Sequence, residues 1–210
     1  MLKVVVKSKD LRAAIRQQPR EILVSNLGVD HEHCFNREAD GWKAAAEIAY
    51  FPGEGLRHLA IHDGILYIGL ELIAQVTKHP LSSLPKEPIL LSPPSGGAAA
   101  AGTLVAEIVI SKPTSLYIPY VYIFDRNDPS PEGDTIAIFE ASTSDELELI
   151  GEVGTGLNHL RRIVFGGPED QWVATGGSKG GGVLRACERS DSGRNLKLGF
   201  LIPLLHTQAL

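Results

Sequence analysis

Cysteine is scarce in this chain: only Cys34 and Cys187 occur in 210 residues, and they lie in different repeats. Two such thiols make no disulfide framework, so a reduced, cytosolic protein is expected. A basic excess is also missing. Twenty Lys and Arg stand against 25 Asp and Glu, a formal charge of −5, which excludes the positive face that nucleic-acid phosphates require. No apolar run approaches the roughly 18 residues of a membrane-spanning helix. Between Met1 and Arg20 the one apolar patch is Val4-Val5-Val6, far short of a secretory signal core of about 7–15 residues. What remains is ordinary globular chemistry, 43% apolar and 21% charged, at a length that suits one sizeable domain.

Against these absences stands a repeated phrase. Gly55-Leu56-Arg57-His58-Leu59-Ala60-Ile61 returns as Gly156-Leu157-Asn158-His159-Leu160-Arg161-Arg162-Ile163. Each copy leads through a Gly-containing turn into an apolar run, Ile65 to Ile68 in one case and Gln171 to Ala174 in the other. Between them Glu107-Ile108-Val109-Ile110 and Tyr120-Val121-Tyr122-Ile123-Phe124 keep the rhythm. Strand, turn and strand at a long period is the signature of radially repeated β-sheets. A single such sheet cannot bury both faces, so several must stack about an axis.

Strands are expected at 21–25, 42–50, 58–62, 65–72, 75–79, 105–111, 119–125, 134–140, 146–152, 160–165, 171–175 and 182–188. The segment 42–50 contains an Ala run that favours helix, but its place in the repeat assigns it to a strand. Asp10 to Gln18 reads as a short helix, capped by Asp10 and stopped by Pro19. Pro80 to Gly102, rich in Pro, Ser, Gly and Ala, reads as a long exposed connection. A four-stranded blade takes about 40–45 residues, so residues 21–200 hold about four blades. The domain plan is an N-terminal extension at 1–20, a partial propeller at 21–200 and an apolar tail at 201–210. A truncated gene product is one expectation from that count.

Several stretches together resemble the lactonase β-propeller family, the seven-bladed group related to 6-phosphogluconolactonase and the fungal carboxy-cis,cis-muconate cyclases. They are Gly55 to Leu59, Leu66 to Leu72, Ala106 to Ile110, Tyr120 to Asp128, Asp134 to Phe139 and Gly156 to Arg161. The resemblance implies an all-β fold, an incomplete β-propeller of about four blades out of seven. It also implies a cytoplasmic lactonase or cycloisomerase that acts on a small acidic lactone, without metal or other cofactor.

By the same resemblance, Arg57 and Arg126 are expected to bind substrate and Glu71 to be catalytic, while Glu107, between Ala106 and Ile108 on an inner strand, is expected to face the channel and bind substrate from there. The arginines would hold carboxylates and the glutamate would move a proton. The residue types suit the task, because planar guanidinium forks grip carboxylates bidentately. A carboxyl group in a partly desolvated channel is poised to exchange a proton. The cyclase branch also carries a histidine on the strand before Ile22-Leu23-Val24-Ser25, in a His-x-x-x-x-Asp-Pro stretch that Gln18-Pro19-Arg20-Glu21 does not supply. His31 and His33 come after that strand and do not replace it.

Other motifs carry less. His31-Glu32-His33-Cys34 is too tightly spaced on an extended segment to wrap a tetrahedral ion and is read as a solvated loop. His58 and His62 would suit zinc on a helix, but the alternation around them says strand. Gly176 to Gly182 lacks the Lys-Ser/Thr of a phosphate loop and reads as a blade-edge turn. Cys187 reads as packing. The alternative function is a non-catalytic propeller remnant that binds an acidic metabolite or a protein partner. Self-association through open blade edges is expected in either case.

Overall fold

A computed structural model describes residues 15–18, 21–83, 89–90, 100–115, 118–141, 147–179 and 182–203. These residues form four antiparallel four-stranded sheets, each a meander whose spatial order follows the chain. The first sheet holds β1 (Ile15–Gln18), β2 (Glu21–Asn26), β3 (His31–Glu38) and β4 (Gly41–Ala49). The second holds β5 (Leu56–His62), β6 (Ile65–Leu70), β7 (Gln75–Pro80) and β8 (Ile89–Leu90). The third holds β9 (Leu104–Ile110), β10 (Tyr120–Arg126), β11 (Thr135–Glu140) and β12 (Leu149–Gly154). The fourth holds β13 (Leu160–Gly166), β14 (Trp172–Gly177), β15 (Val183–Ser190) and β16 (Asn195–Pro203).

The core is three inter-sheet seams. Leu23, Cys34 and Ile48 of the first sheet meet Leu56, Leu59, Leu66, Ile68 and Leu70 of the second. Tyr67 and Val76 meet Val105, Ile108, Val121 and Ile123 of the third. Tyr122, Phe124, Ile136 and Ile138 meet Ile163, Val173, Cys187 and Leu196 of the fourth. Alternation along one strand therefore serves two seams: in β10, Val121 and Ile123 face one way and Tyr122 and Phe124 the other. That is why β6 and the stretch Tyr120 to Phe124 of β10 carry no charged side chain and are buried throughout. Each fully buried Leu, Ile or Phe contributes roughly 1.5–3 kcal/mol of transfer free energy. The first strands β5, β9 and β13 pack side by side at one edge of this stack, the arrangement of blades around an axis.

Four sequence expectations change. Ile15–Gln18 is a strand, not the end of a helix, because Gln18 pairs with Glu21 and Ile15 with Val24; residues 10–14 lie outside the described residues. An isolated nine-residue helix has little stability of its own, and a sheet edge offers this segment a full ladder. The first sheet thus starts ahead of residue 21. His31–Glu38 is also a strand rather than a loop, paired on both sides. Within the connection after Pro80, Ile89–Leu90 pairs with Thr77 and Lys78, and most of the rest lies outside the described residues. Leu201–Pro203 belongs to β16 and pairs with Val183–Arg185.

The repeat itself is offset from the repeated phrase. Gly55 sits at φ 69° and its carbonyl accepts the Glu71 N–H at 2.8 Å. The residue that does this in the fourth sheet is His159, at φ 61°, whose carbonyl accepts the Ser178 N–H at 3.1 Å. Leu56 pairs with Leu70, as Leu160 does with Gly177 and Val105 with Asp125. Just past each of these pairs the first strand carries a β-bulge. The counterpart of Arg57-His58 is therefore Ala106-Glu107 in the third sheet and Arg161-Arg162 in the fourth. The counterpart of Glu71 is Arg126 and then Ser178.

Two aspartates set the entry into the first strands. Asp30 accepts N–H groups of Gly53 at 2.8 Å and Gly55 at 2.5 Å, and its carbonyl takes the Tyr50 N–H at 3.0 Å. Asp134, fully buried, accepts from Asp128 N at 3.0 Å and Leu160 N at 2.7 Å. Its carbonyl takes the Thr155 N–H at 3.0 Å. In each case the loop between second and third strands clamps the segment crossing to the next sheet. Charge-assisted bonds to backbone N–H groups are strong ones.

Candidate active site

The bulges and the clamps bring the sequence candidates to one end of the sheet stack. Arg57 is the second residue of β5, Glu71 follows directly on β6, and Arg126 ends β10. Glu71 accepts Arg57 Nη1 at 2.5 Å, and the same oxygen, Oε1, accepts Arg126 Nη2. The three side chains come from two sheets and are 14%, 4% and 5% exposed for Arg57, Glu71 and Arg126. Arg126 is thus buried in the seam rather than held in a surface pair with its neighbouring aspartates. Two guanidinium groups thus share one carboxylate oxygen at a depth where water screens little. Burying such charges is costly unless they are paired and hydrogen-bonded.

Glu107 joins from the first strand of the third sheet. Its Oε2 accepts the Ile163 N–H of β13 at 3.1 Å, a bond across the next seam. Burial raises its pKa above the usual carboxylate range, opposed by the Ile163 bond and by the charges of Arg162 and Arg57. The structure therefore places all four sequence candidates in one neighbourhood: a bonded triad of Arg57, Glu71 and Arg126, with Glu107 beside it.

Three further groups belong to this neighbourhood and were not read as site residues from the sequence. His58, next to Arg57 on the bulge, has its pKa lowered to about 4, first by burial and then by Arg57, Arg126 and Arg162. It is neutral at pH 7 and offers a lone pair rather than a charge. Arg162 stands at the position equivalent to His58 and Glu107. It becomes visible only once the three-residue offset between phrase and fold is known. Asp125, 1% exposed, is pushed up to about 7, mainly by burial. Its two oxygens take the Thr135 N–H at 2.7 Å and the Thr135 hydroxyl at 3.0 Å. It ties the end of β10, where Arg126 stands, to the start of β11. On the far side His159 Nδ1 lies 2.7 Å from Asn127 Oδ1. The His159 pKa is lowered by burial and by Arg161, Arg126 and Lys179.

No group of three or more His, Cys, Asp or Glu side chains among the described residues is arranged to hold a metal ion. The His31 to Cys34 segment shows why. On β3 the burial alternates, placing His31 and His33 on one face with their rings stacked 6.0 Å apart. Glu47 lies 3.0 and 3.4 Å from them. Glu32 and Cys34 turn into the seam instead. Cys34 and Cys187 are free and buried. Among the described residues no helix is long and apolar enough to cross a membrane.

Comparison with solved structures shows the same architecture. A protein from Lactobacillus plantarum superposes with a TM-score of 0.74 at 18% identity, over 91% of this chain and 56% of its own. A candidate 6-phosphogluconolactonase from Bacteroides uniformis gives 0.71 at 19% identity, over 91% and 55%. The periplasmic gluconolactonase PpgL of Pseudomonas aeruginosa gives 0.73 at 17%, over 90% and 53%. At these identities the likeness shows the fold. The chain spans a little over half the length of these proteins, which gives about four blades of the larger ring. No curated protein matches. The family described as Lactonase, 7-bladed beta-propeller matches residues 13–197, and the chain belongs to that family.

Proposed function

We propose that this propeller segment carries a lactone-processing site for a small acidic substrate, built on Arg57, Glu71 and Arg126. The observation that carries the reading is the convergence of two guanidinium groups from neighbouring sheets on one buried carboxylate oxygen. Family membership points the chemistry toward lactones, and neighbours named as lactonases favour the hydrolytic direction.

A substrate carboxylate or phosphate competes with Glu71 for the two guanidinium forks. As it binds, Arg57 and Arg126 exchange one anion for another and the Glu71 carboxylate is released to accept a proton. In hydrolysis that proton comes from water as its oxygen attacks the lactone carbonyl carbon. The ring C–O bond then breaks and the departing alkoxide takes up a proton. In this reading Glu107, whose pKa burial raises, supplies it. Holding a developing oxyanion with fixed cations in a water-poor site is the strongest contribution such a cluster makes. In the opposite direction, ring closure of a muconate, the arginines would hold the carboxylate delivered to the double bond and Glu71 would move the proton. No metal or cofactor enters either scheme. Two free, buried cysteines suit a reduced, cytoplasmic setting, which is part of the same proposal.

The test is a pH-stat screen of the purified protein against gluconolactone, its 6-phosphate and a carboxymuconate, beside Glu71→Gln. Turnover by the parent that Glu71→Gln loses supports the reading. Binding of the acidic compounds with no turnover by the parent would instead favour the non-catalytic alternative.

A further inference from the structure

The segment that crosses from the first sheet to the second is held by a residue outside both sheets of the triad. Asp30 closes the turn between β2 and β3 at φ 55°. The turn between β6 and β7 closes in the same way on Ala74, at φ 51°, so such a turn needs no carboxylate for its own sake. The Asp30 carboxylate instead reaches the crossing segment, where it accepts the Gly53 N–H at 2.8 Å and the Gly55 N–H at 2.5 Å. Gly55 stands at φ 69°, and a Cβ there would lie 2.5 Å from Leu72 Cγ. From Gly55 the hold passes along the backbone. The Gly55 carbonyl accepts the Glu71 N–H at 2.8 Å, and the Glu54 carbonyl accepts the Leu72 N–H at 3.2 Å. The Glu71 carbonyl in turn accepts the Val105 N–H at 3.3 Å. Val105 pairs with Asp125, beside Arg126. One line of hydrogen bonds therefore runs from the first sheet, through Glu71, to the strand pair that ends in Arg126.

We infer that Asp30 is a positioning residue for the anion site, acting on Arg57, Glu71 and Arg126 through Gly55 and this line of bonds; the inference rests on the function proposed above. Arg57 stands two residues past Gly55, and two guanidinium groups must meet one carboxylate oxygen. Such a constellation works only when its supporting groups hold it to within about 0.5 Å. Without the carboxylate, the Gly53 and Gly55 N–H groups lose charge-assisted acceptors, and the segment before Arg57 is released from its left-handed conformation. Charge alone predicts the opposite sign, since removing a carboxylate near an anion site strengthens anion binding.

The experiment compares Asp30→Ala, Asp30→Glu and Leu23→Ala with the parent chain, each checked for folding by circular dichroism. Gluconate affinity is read by titration calorimetry, and the line of bonds by amide hydrogen exchange. Asp30→Ala is expected to weaken gluconate binding about 10- to 100-fold, the usual cost of removing a group that orients a ligand-holding residue. Its Glu71 and Leu72 amides should exchange faster relative to those of β6. Leu23→Ala opens a cavity in the same seam without touching the clamp. It should lower the urea midpoint and still bind within about twofold of the parent. Asp30→Glu keeps the charge and misplaces the oxygens by one methylene, so it too should bind weakly, and it decides the matter if Asp30→Ala does not fold. Tighter or unchanged binding in both Asp30 variants, a loss no larger than that of Leu23→Ala, or unaltered exchange at Glu71 would overturn the positioning role. A parent chain that binds no gluconate would defeat the anion site itself, while exchange at Glu71 would still decide whether Asp30 holds that residue in place.

Discussion

The bulge of β5 and the bulge of β13 share a backbone and differ in what they do with charge. Both follow a residue in the left-handed region, Gly55 at 69° and His159 at 61°. Both begin with a buried leucine, Leu56 and Leu160, and close on a buried Leu59 and Ile163. Between those anchors β5 carries Arg57 and His58, both drawn partly into the protein, whereas β13 carries Arg161 and Arg162, both exposed. The difference lies in the partners. Behind β5 stand Glu71 and, from the next sheet, Arg126; behind β13 the position of Glu71 is taken by Ser178. There Arg161 Nε reaches only the serine hydroxyl, at 3.3 Å. The repeated backbone sets up the same niche twice, and the side chains that break the repeat turn one niche into a charged site.

The largest test of that contrast is the loss of Glu71. Glu71→Ala leaves two guanidinium groups in the seam without their shared anion, and removing one partner of a buried pair costs about 3–5 kcal/mol. Urea unfolding should show that loss, while Ser178→Ala, at the equivalent position, should stay within about 0.5 kcal/mol of the parent. Next comes ligand binding: Arg57→Ala should weaken binding of gluconate by about 1.5–3 kcal/mol, the worth of a hydrogen bond to a charged group. Titration calorimetry measures it, and an unchanged affinity would place the anion elsewhere.

Stability should also depend on pH in a way that separates the first seam from the site. Glu32, 1% exposed and bonded by the Ser25 hydroxyl at 2.5 Å, is raised by burial from 4.5 to about 8. The folded state keeps this proton after the unfolded chain has lost it, so stability falls as pH rises from about 4.5 to about 8. Asp125, raised to about 7, acts in the same sense. His58, lowered to about 4, acts in the opposite sense, with stability lost as pH falls below 6.5. Between pH 6.5 and 8 the buried acids act alone. There the parent should lose about 2 kcal/mol, and Glu32→Gln should flatten most of that slope. The smallest effect is expected at Arg161: exposed and held only by Ser178, its change to Ala should alter gluconate affinity by less than about 0.5 kcal/mol.

The strand positions between residues 42 and 188, apart from Ile89–Leu90, were legible because apolar runs between Gly and Pro turns leave little choice, whereas β16 was not. The ends were less so. Ile15–Gln18 has too little apolar pattern to announce a strand, and its identity comes from its partner Glu21–Val24. His31–Glu38 hides its alternation behind titratable side chains, since one buried row is Glu32 and Cys34. Arg57, Glu71 and Arg126 were legible through family resemblance, and their meeting on one oxygen was not, because it depends on two sheets. His58 and Arg162 were obscured by the repeated phrase itself. Matching Gly156 to Gly55 sets Asn158 against Arg57, while the hydrogen bonds set Arg161 there. Letters align where the words agree; strands align where the bulges fall.

The central claim is that Arg57 and Arg126 act as one anion-binding unit across two sheets. A double-mutant cycle read by calorimetry tests it most directly, with gluconate titrated into the parent chain, Arg57→Ala, Arg126→Ala and the double variant. If the two guanidinium groups hold one anion, either single change removes most of the binding. The double variant should then lose little more than the weaker single, a coupling above about 1 kcal/mol. Losses that simply add, or singles that bind as the parent does, would contradict a shared site.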